Sequence, residues 1–193
     1  MLNEDTVASV FAHEPQNYSN RRSIRTYPNS RNILVLSQPT PFSCVQVMDM
    51  RQVELSSKED PRVVELAPFS EADQILFNED FHVPPTIPFG SAPPAEWCYY
   101  FEKASYARQT GDWDEVLHLG EDAISRGFFA KDQIEWIPFL QAYAYAGNTT
   151  RLNEIASFMI SDPLVFQQAC QTLKEMQLDP STVEKASQLF CAK

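Results

Sequence analysis

From Trp97 onward the apolar positions recur at helical spacing. Trp97, Tyr100, Phe101, Ala104 and Ala107 trace one stripe, and after Gly111 it restarts as Trp113, Val116, Leu117, Gly120, Ala123 and Ile124. Gly111 supplies the left-handed backbone that ends the first helix, and Asp112 with Glu115 reads as a capping box that opens the second. Asp132 with Glu135 repeats the box before a third helix, which Gly147 closes. Helices joined this tightly pack antiparallel, and one hairpin cannot bury both of its stripes, so further helices stack on it. The third helix is apolar nearly all round (Ile137, Phe139, Leu140, Tyr143, Ala144, Ala146), which predicts a central place. Pro138 means that it either bends there or begins there. Leu152, Ile155, Ala156 and Met159 form a fourth stripe. Asp162-Pro163 and Asp179-Pro180 are start signals, an acidic N-cap followed by a proline whose missing donor costs nothing in the first turn. They open a fifth stripe (Phe166, Ala169, Cys170, Leu173, Met176) and a sixth (Val183, Ala186, Leu189, Phe190). The expected architecture of residues 95–193 is three antiparallel helix pairs. Trp97, Trp113, Trp136 and Leu140 are expected in its core, and Gly111 and Gly147 at its turns.

Upstream the period changes. Residues 1–20 are polar without sustained periodicity and read as a flexible tail. Ile24–Tyr27, Asn32–Leu36 and Cys44–Met48 are short runs rich in β-branched residues, separated by Pro28-Asn29-Ser30 and Gln38-Pro39-Thr40-Pro41. They predict a small antiparallel meander. Pro61–Leu66 fits either one helical turn or a short strand, and Ser70 with Asp73 reads as an N-cap before a short helix, Ala72–Phe77. The proline-rich stretch 81–94 reads as an extended connector. The fold class is therefore α+β, mainly α, with a β-rich subdomain at 21–80, a connector at 81–94 and a helical domain at 95–193.

A chain of 193 residues with 44% hydrophobic content can bury a sizeable core. Its formal net charge of −11 argues against nucleic acid as a partner, because nothing neutralises phosphates in bulk. Arg21, Arg22, Arg25 and Arg31 stand apart from that acidity, where they would either meet an anionic surface or blunt a strand edge. Cys44, Cys98, Cys170 and Cys191 form no Cys-x-x-Cys pair and the histidines are isolated, so metal-site spacing is absent; Cys98 and Cys170 read as small buried thiols. No run reaches the roughly 20 apolar residues of a membrane span, and the acidic, broken N-terminal stretch does not read as a signal peptide. A soluble chain is expected.

Candidate chemistry is sparse. No nucleophile motif or phosphate loop is present, and five glycines leave no glycine-rich cradle. Glu96 and Glu135 invite a two-carboxylate acid/base reading, against which stands their place at helix starts, where a carboxylate caps backbone donors. His118 reads as a surface histidine, and Asn148-Thr149-Thr150, though it matches a glycosylation sequon, reads as a helix start. No catalytic residue, metal or cofactor is assigned. The candidate binding residues are Tyr99, Glu102, Lys103 and Tyr106, which share a second face of the first helix. Aromatic rings beside charged heads make a common binding surface for protein or peptide; the alternative is that both tyrosines pack against the meander.

The stretch Gly111-Asp112-Trp113-Asp114-Glu115 resembles the hairpin turn of tetratricopeptide-type repeats, with Ala104 and Ala123 where that motif has small residues. Lys103 and Gly120 depart from it, standing where a leucine and an aromatic are usual. A longer resemblance is carried by NILVLSQPTPFSCVQVMD, APFSEADQI, EWCYYFEKASYARQTGDW and EWIPFLQAYAYAG, in that order. Together these are similar to the soluble C-terminal region of large bacterial membrane proteins whose N-terminal part is polytopic and glycosyltransferase-like. That resemblance implies a place on the extracytoplasmic side, after the last membrane span, and names no activity. Two function classes follow. One is a non-enzymatic interaction module for protein or peptide, membrane proteins included. The other is an extracytoplasmic accessory domain of a glycosyltransferase-like membrane protein.

Overall fold

A computed structural model describes residues 4–12, 19–21, 24–26, 33–49, 54–72, 85–91, 94–159 and 161–191. The fold is mainly helical with short antiparallel strand pairs, and it divides into two units. The first comprises residues 1–38, 45–53 and 59–84, the second residues 39–44, 54–58 and 85–193.

The first unit corrects the expected flexible tail. Glu4–Phe11 forms α1, which opens on two acids that complement the helix dipole and buries Val7 and Val10. The Phe11 ring meets Phe69 edge-on at 5.1 Å. A pattern of only two buried positions is too short to register as a period, yet it suffices once a second surface covers it. The expected meander is also corrected. β1 (Ser19–Arg21) pairs antiparallel with β2 (Ile24–Thr26), and β3 (Leu36–Ser37) with β4 (Gln46–Val47), as two separate ladders. The physical reason lies in where the backbone of residues 33–35 finds its partners. Ile33 accepts from the Glu71 N–H at 2.8 Å, and the Val35 N–H donates to the Ser70 hydroxyl at 3.1 Å. The Ile33 carbonyl and the Val35 N–H are thus bonded to residues 70–71, and only the Val35 carbonyl reaches toward β4, accepting from the Met48 N–H at 2.9 Å. Pro61–Leu66 forms α2, capped by the Asp60 carboxylate on the Arg62 N–H, and it runs into a 3₁₀ turn at Ala67–Phe69. The predicted helix Ala72–Phe77 falls outside the described residues from position 73.

In the second unit, Thr86–Phe89 folds as a single helical turn, α3, where an extended connector was expected. Pro88 stands in the first turn, where an absent N–H removes no helical bond. The helices that follow are α4 (Trp97–Gln109), α5 (Trp113–Ser125), α6 (Ile137–Tyr145), α7 (Thr149–Met159), α8 (Pro163–Glu175) and α9 (Pro180–Ala186), with a π turn at Ser187–Cys191. No strand interrupts residues 97–147, as expected. Gly111 ends α4 at φ 75° with two returning bonds: its own N–H reaches Arg108 O at 3.0 Å and the Asp112 N–H reaches Ala107 O at 2.9 Å. Gly147 ends α6 the same way, through Ala144 O and Tyr143 O. Because the Asp112 N–H is spent on Ala107, only half of the expected capping box forms, the Asp112 carboxylate accepting from the Glu115 N–H at 3.1 Å. Asp162 and Asp179 cap α8 and α9, and Asn148 accepts from the Arg151 N–H at the start of α7.

A 3₁₀ turn, Gln133–Trp136, leads into α6, which begins at Ile137 with Pro138 in its first turn, so the proline starts the helix. Ile137, Phe139, Leu140, Ala142, Tyr143 and Ala144 are buried, and α6 touches α4, α5, α7 and α8. Trp97, Trp136 and Leu140 lie in the core as predicted. Trp113 does not: it is half-buried, stacked on the exposed Tyr145 at 5.7 Å, because the first residue of α5 sits at the bundle's end.

Gly120 explains its own departure from an aromatic. A Cβ added there would stand 2.9 Å from Phe139 Cδ1 and 2.9 Å from the Tyr143 hydroxyl, both side chains being fully buried. Gly120→Ala is therefore expected to lower stability by about 1–3 kcal/mol, read as a shift in the urea midpoint, although alanine is the better helix former.

The cysteines are bonded in two pairs, Cys44–Cys98 and Cys170–Cys191. This corrects the reading of Cys98 and Cys170 as buried thiols. The partners are 54 and 21 residues apart in sequence, and helical periodicity carries no information on pairing over such separations.

Candidate functional site

α4 presents two faces. Trp97, Tyr100, Phe101, Ala104 and Ala107 are buried, while Tyr99 (43% exposed) and Tyr106 (46%) stand on the other side with Glu102 and Lys103, also exposed. All four predicted binding residues thus share one solvent-facing stretch of helix. The face is held from beneath. Tyr99 lies edge-on against Tyr100 at 5.3 Å, and the Tyr100 hydroxyl donates to Asp122 on α5 at 2.7 Å. Lys103 Nζ sits 4.9 Å from the centre of the Tyr99 ring, within cation–π range. Partial desolvation pushes the Glu102 carboxyl above its ordinary value, and no hydrogen bond or ion pair offsets this among the described residues.

The two glutamates weighed as an acid/base pair part company. Glu96 is exposed and makes no side-chain cap at α4. Glu135 is 2% exposed and reaches beyond its helix start: it accepts the Cys44 N–H at 2.6 Å and the Trp97 indole N–H at 2.7 Å. Asp132, likewise expected to cap, accepts the hydroxyls of Ser43 at 3.0 Å and Ser56 at 2.7 Å. The capping reading of Asp132 is corrected. The two carboxylates reach segments 39–44 and 54–58, whose polar groups would otherwise be buried without partners. The same segments are tied down by Gln168, which exchanges two bonds of 2.8 Å with the Leu55 backbone, and by an ion pair of Arg108 with Glu54. Burial raises the Glu135 carboxyl to about 7, against the pull of the N–H groups of Cys44, Trp97 and Asp132. This cluster is a structural pin, and sequence reasoning missed it. The one signal available was the repeated Glu-Trp pair: Trp97 bonds Glu135, and its ring lies 4.6 Å from Trp136.

A groove of about 470 Å³ runs beside the Cys170–Cys191 bridge, lined by Pro163, Phe166, Lys174 and Phe190 among others. His118 is exposed on α5. Among the described residues no group of three His, Cys, Asp or Glu side chains is placed to hold a metal ion, and no helix is long and apolar enough to cross a membrane. Comparison with family models, curated proteins and solved structures finds no match.

Proposed function

We propose that the chain is a non-enzymatic interaction module that binds a protein or peptide segment on the exposed face of α4. The observation that carries this is the exposure of Tyr99 and Tyr106 on a helix whose opposite face is fully committed to the core. Rings on a rigid helix offer contact area at little entropic cost, and such residues dominate binding energy where they are exposed before contact. The helix is rigid because its buried side reaches both α5 and α6. The tetratricopeptide-like reading fits this role, with the turn at Gly111 and the close packing at Ala104 and Ala123 as its support.

The two disulfides favour the second reading as the setting of the first. Bridges persist in oxidising compartments, which suits an accessory domain on the extracytoplasmic face of a glycosyltransferase-like membrane protein.

Tyr99→Ala tests the interaction reading. Its ring is exposed, so the melting temperature should change by less than about 2 °C, while capture of a partner from the protein's own cells should fall at least tenfold. A melting temperature lowered by more than about 5 °C with capture intact would make the face an internal support instead.

A further inference from the structure

We propose that the exposed face of α4 seats an arginine or lysine side chain of a basic partner segment, with Glu102 as its carboxylate and Tyr106 as its ring. This rests on the interaction reading above and names the chemistry of the partner. Glu102 lies three residues after Tyr99 and four before Tyr106, spacings that bring all three side chains onto one strip of helix. The strip already shows that it accepts a cation, since Lys103 rests its ammonium over the Tyr99 ring.

The charges nearby explain why a further cation is wanted. Arg108 is paired with Glu54 and Gln141, Arg126 with Asp122, and Lys103 is directed at Tyr99. Glu96, Glu102, Asp114 and Glu115 form no ion pair among the described residues. Of these, Glu102 is the one between two exposed rings, and its partial desolvation makes an unpaired charge costly. A guanidinium would satisfy the carboxylate through two parallel N–H bonds and stack on the neighbouring ring. A chain of net charge −11 draws such a segment in and repels an acidic one.

The test is a titration of the full chain with a capped peptide carrying two arginines among glycines, followed by NMR shifts of the α4 amides. The same peptide with glutamates in place of the arginines is the control. Glu102→Gln should weaken binding about tenfold, as the loss of one charge-assisted contact does. Glu184→Gln on α9, which removes the same charge elsewhere, should weaken it less than about twofold. Lys103→Gln should tighten binding, because it removes a positive charge beside Glu102 that repels an incoming cation. Equal effects of the two glutamine variants at positions 102 and 184, binding of the glutamate peptide, or weaker binding by Lys103→Gln would each overturn the proposal. If partner capture depends on Tyr99 and Tyr106 while Glu102→Gln changes neither capture nor the titration, the face still binds and only the cation seat is lost. If capture ignores both tyrosines, the interaction reading itself fails.

Discussion

A variant with both Cys44 and Cys98 changed to alanine should be less stable than the wild type by about 4 kcal/mol, the chain-entropy value for a closed loop of this length. The bridge spans 54 residues, so without it the unfolded chain regains the freedom of a long loop while the folded chain gains nothing. The same treatment of Cys170 and Cys191, which are 21 residues apart, should cost about 3 kcal/mol. The first bridge carries a second consequence. Cys44 follows Ser43 and donates its N–H to Glu135, so the bridge to Cys98 holds segment 39–44 where both carboxylates of the buried cluster find their donors. Losing it should loosen that cluster as well as the unfolded-state restraint. Urea denaturation of wild type and variant, each with and without dithiothreitol, measures this. Dithiothreitol should destabilise both, the wild type through two bridges and the variant only through Cys170–Cys191. Identical curves throughout would mean that the native fold holds thiols, and the reading of Cys98 as a small buried residue would stand.

The helical half of the fold was legible because its determinants are local. A stripe at Trp97, Tyr100, Phe101, Ala104 and Ala107 needs only the 3.6-residue period to be seen, and Gly111 and Gly147 announce their turns by the absence of a side chain. The N-terminal half was legible only in part. Its apolar runs are a few residues long, and what fixes them is distant: Val35 bonds Ser70 across 35 positions, and Phe11 meets Phe69. The same limit separates the two candidate sites. Tyr99, Glu102, Lys103 and Tyr106 share a face for reasons of helix geometry, so the sequence places them together. Glu135 is joined to Cys44 across 91 positions and to Trp97 across 38, and a helix-start carboxylate looks alike whether it caps its own helix or reaches elsewhere. Gly120 is the instructive middle case. Its departure from the repeat pattern was visible, and the reason, two aromatic side chains of α6 that leave no room for a Cβ, was not.

The buried Glu135 should also write itself into the pH dependence of stability. Its carboxyl rises from the ordinary 4.5 to about 7 in the folded protein, chiefly through burial. Between those values the folded chain holds a proton that the unfolded chain has released. Stability linked to this group is therefore fully present below about pH 4.5 and is lost as pH rises through about 7. The difference amounts to about 3 kcal/mol. Asp60 and Asp179 act in the opposite sense. Both are held at about 2, by Arg62 in the first case and by Ser181 and Thr182 in the second, so what they contribute is present above their ordinary 3.8 and lost as pH falls toward 2. The two trends place the stability maximum in mildly acid solution. Urea midpoints taken from pH 3 to pH 9 should rise, peak near pH 4–5 and decline toward pH 8. Glu135→Gln should abolish the decline. Its amide keeps one acceptor and turns its N–H donors toward those of Cys44 or Trp97, so the variant is less stable in acid, but it has no proton to lose. The competing force is already in place: N–H donors at 2.6 and 2.7 Å are the contacts that favour an ionised carboxylate. A wild-type profile that stays flat from pH 5 to pH 8 would mean that those two donors outweigh burial and that Glu135 is charged throughout.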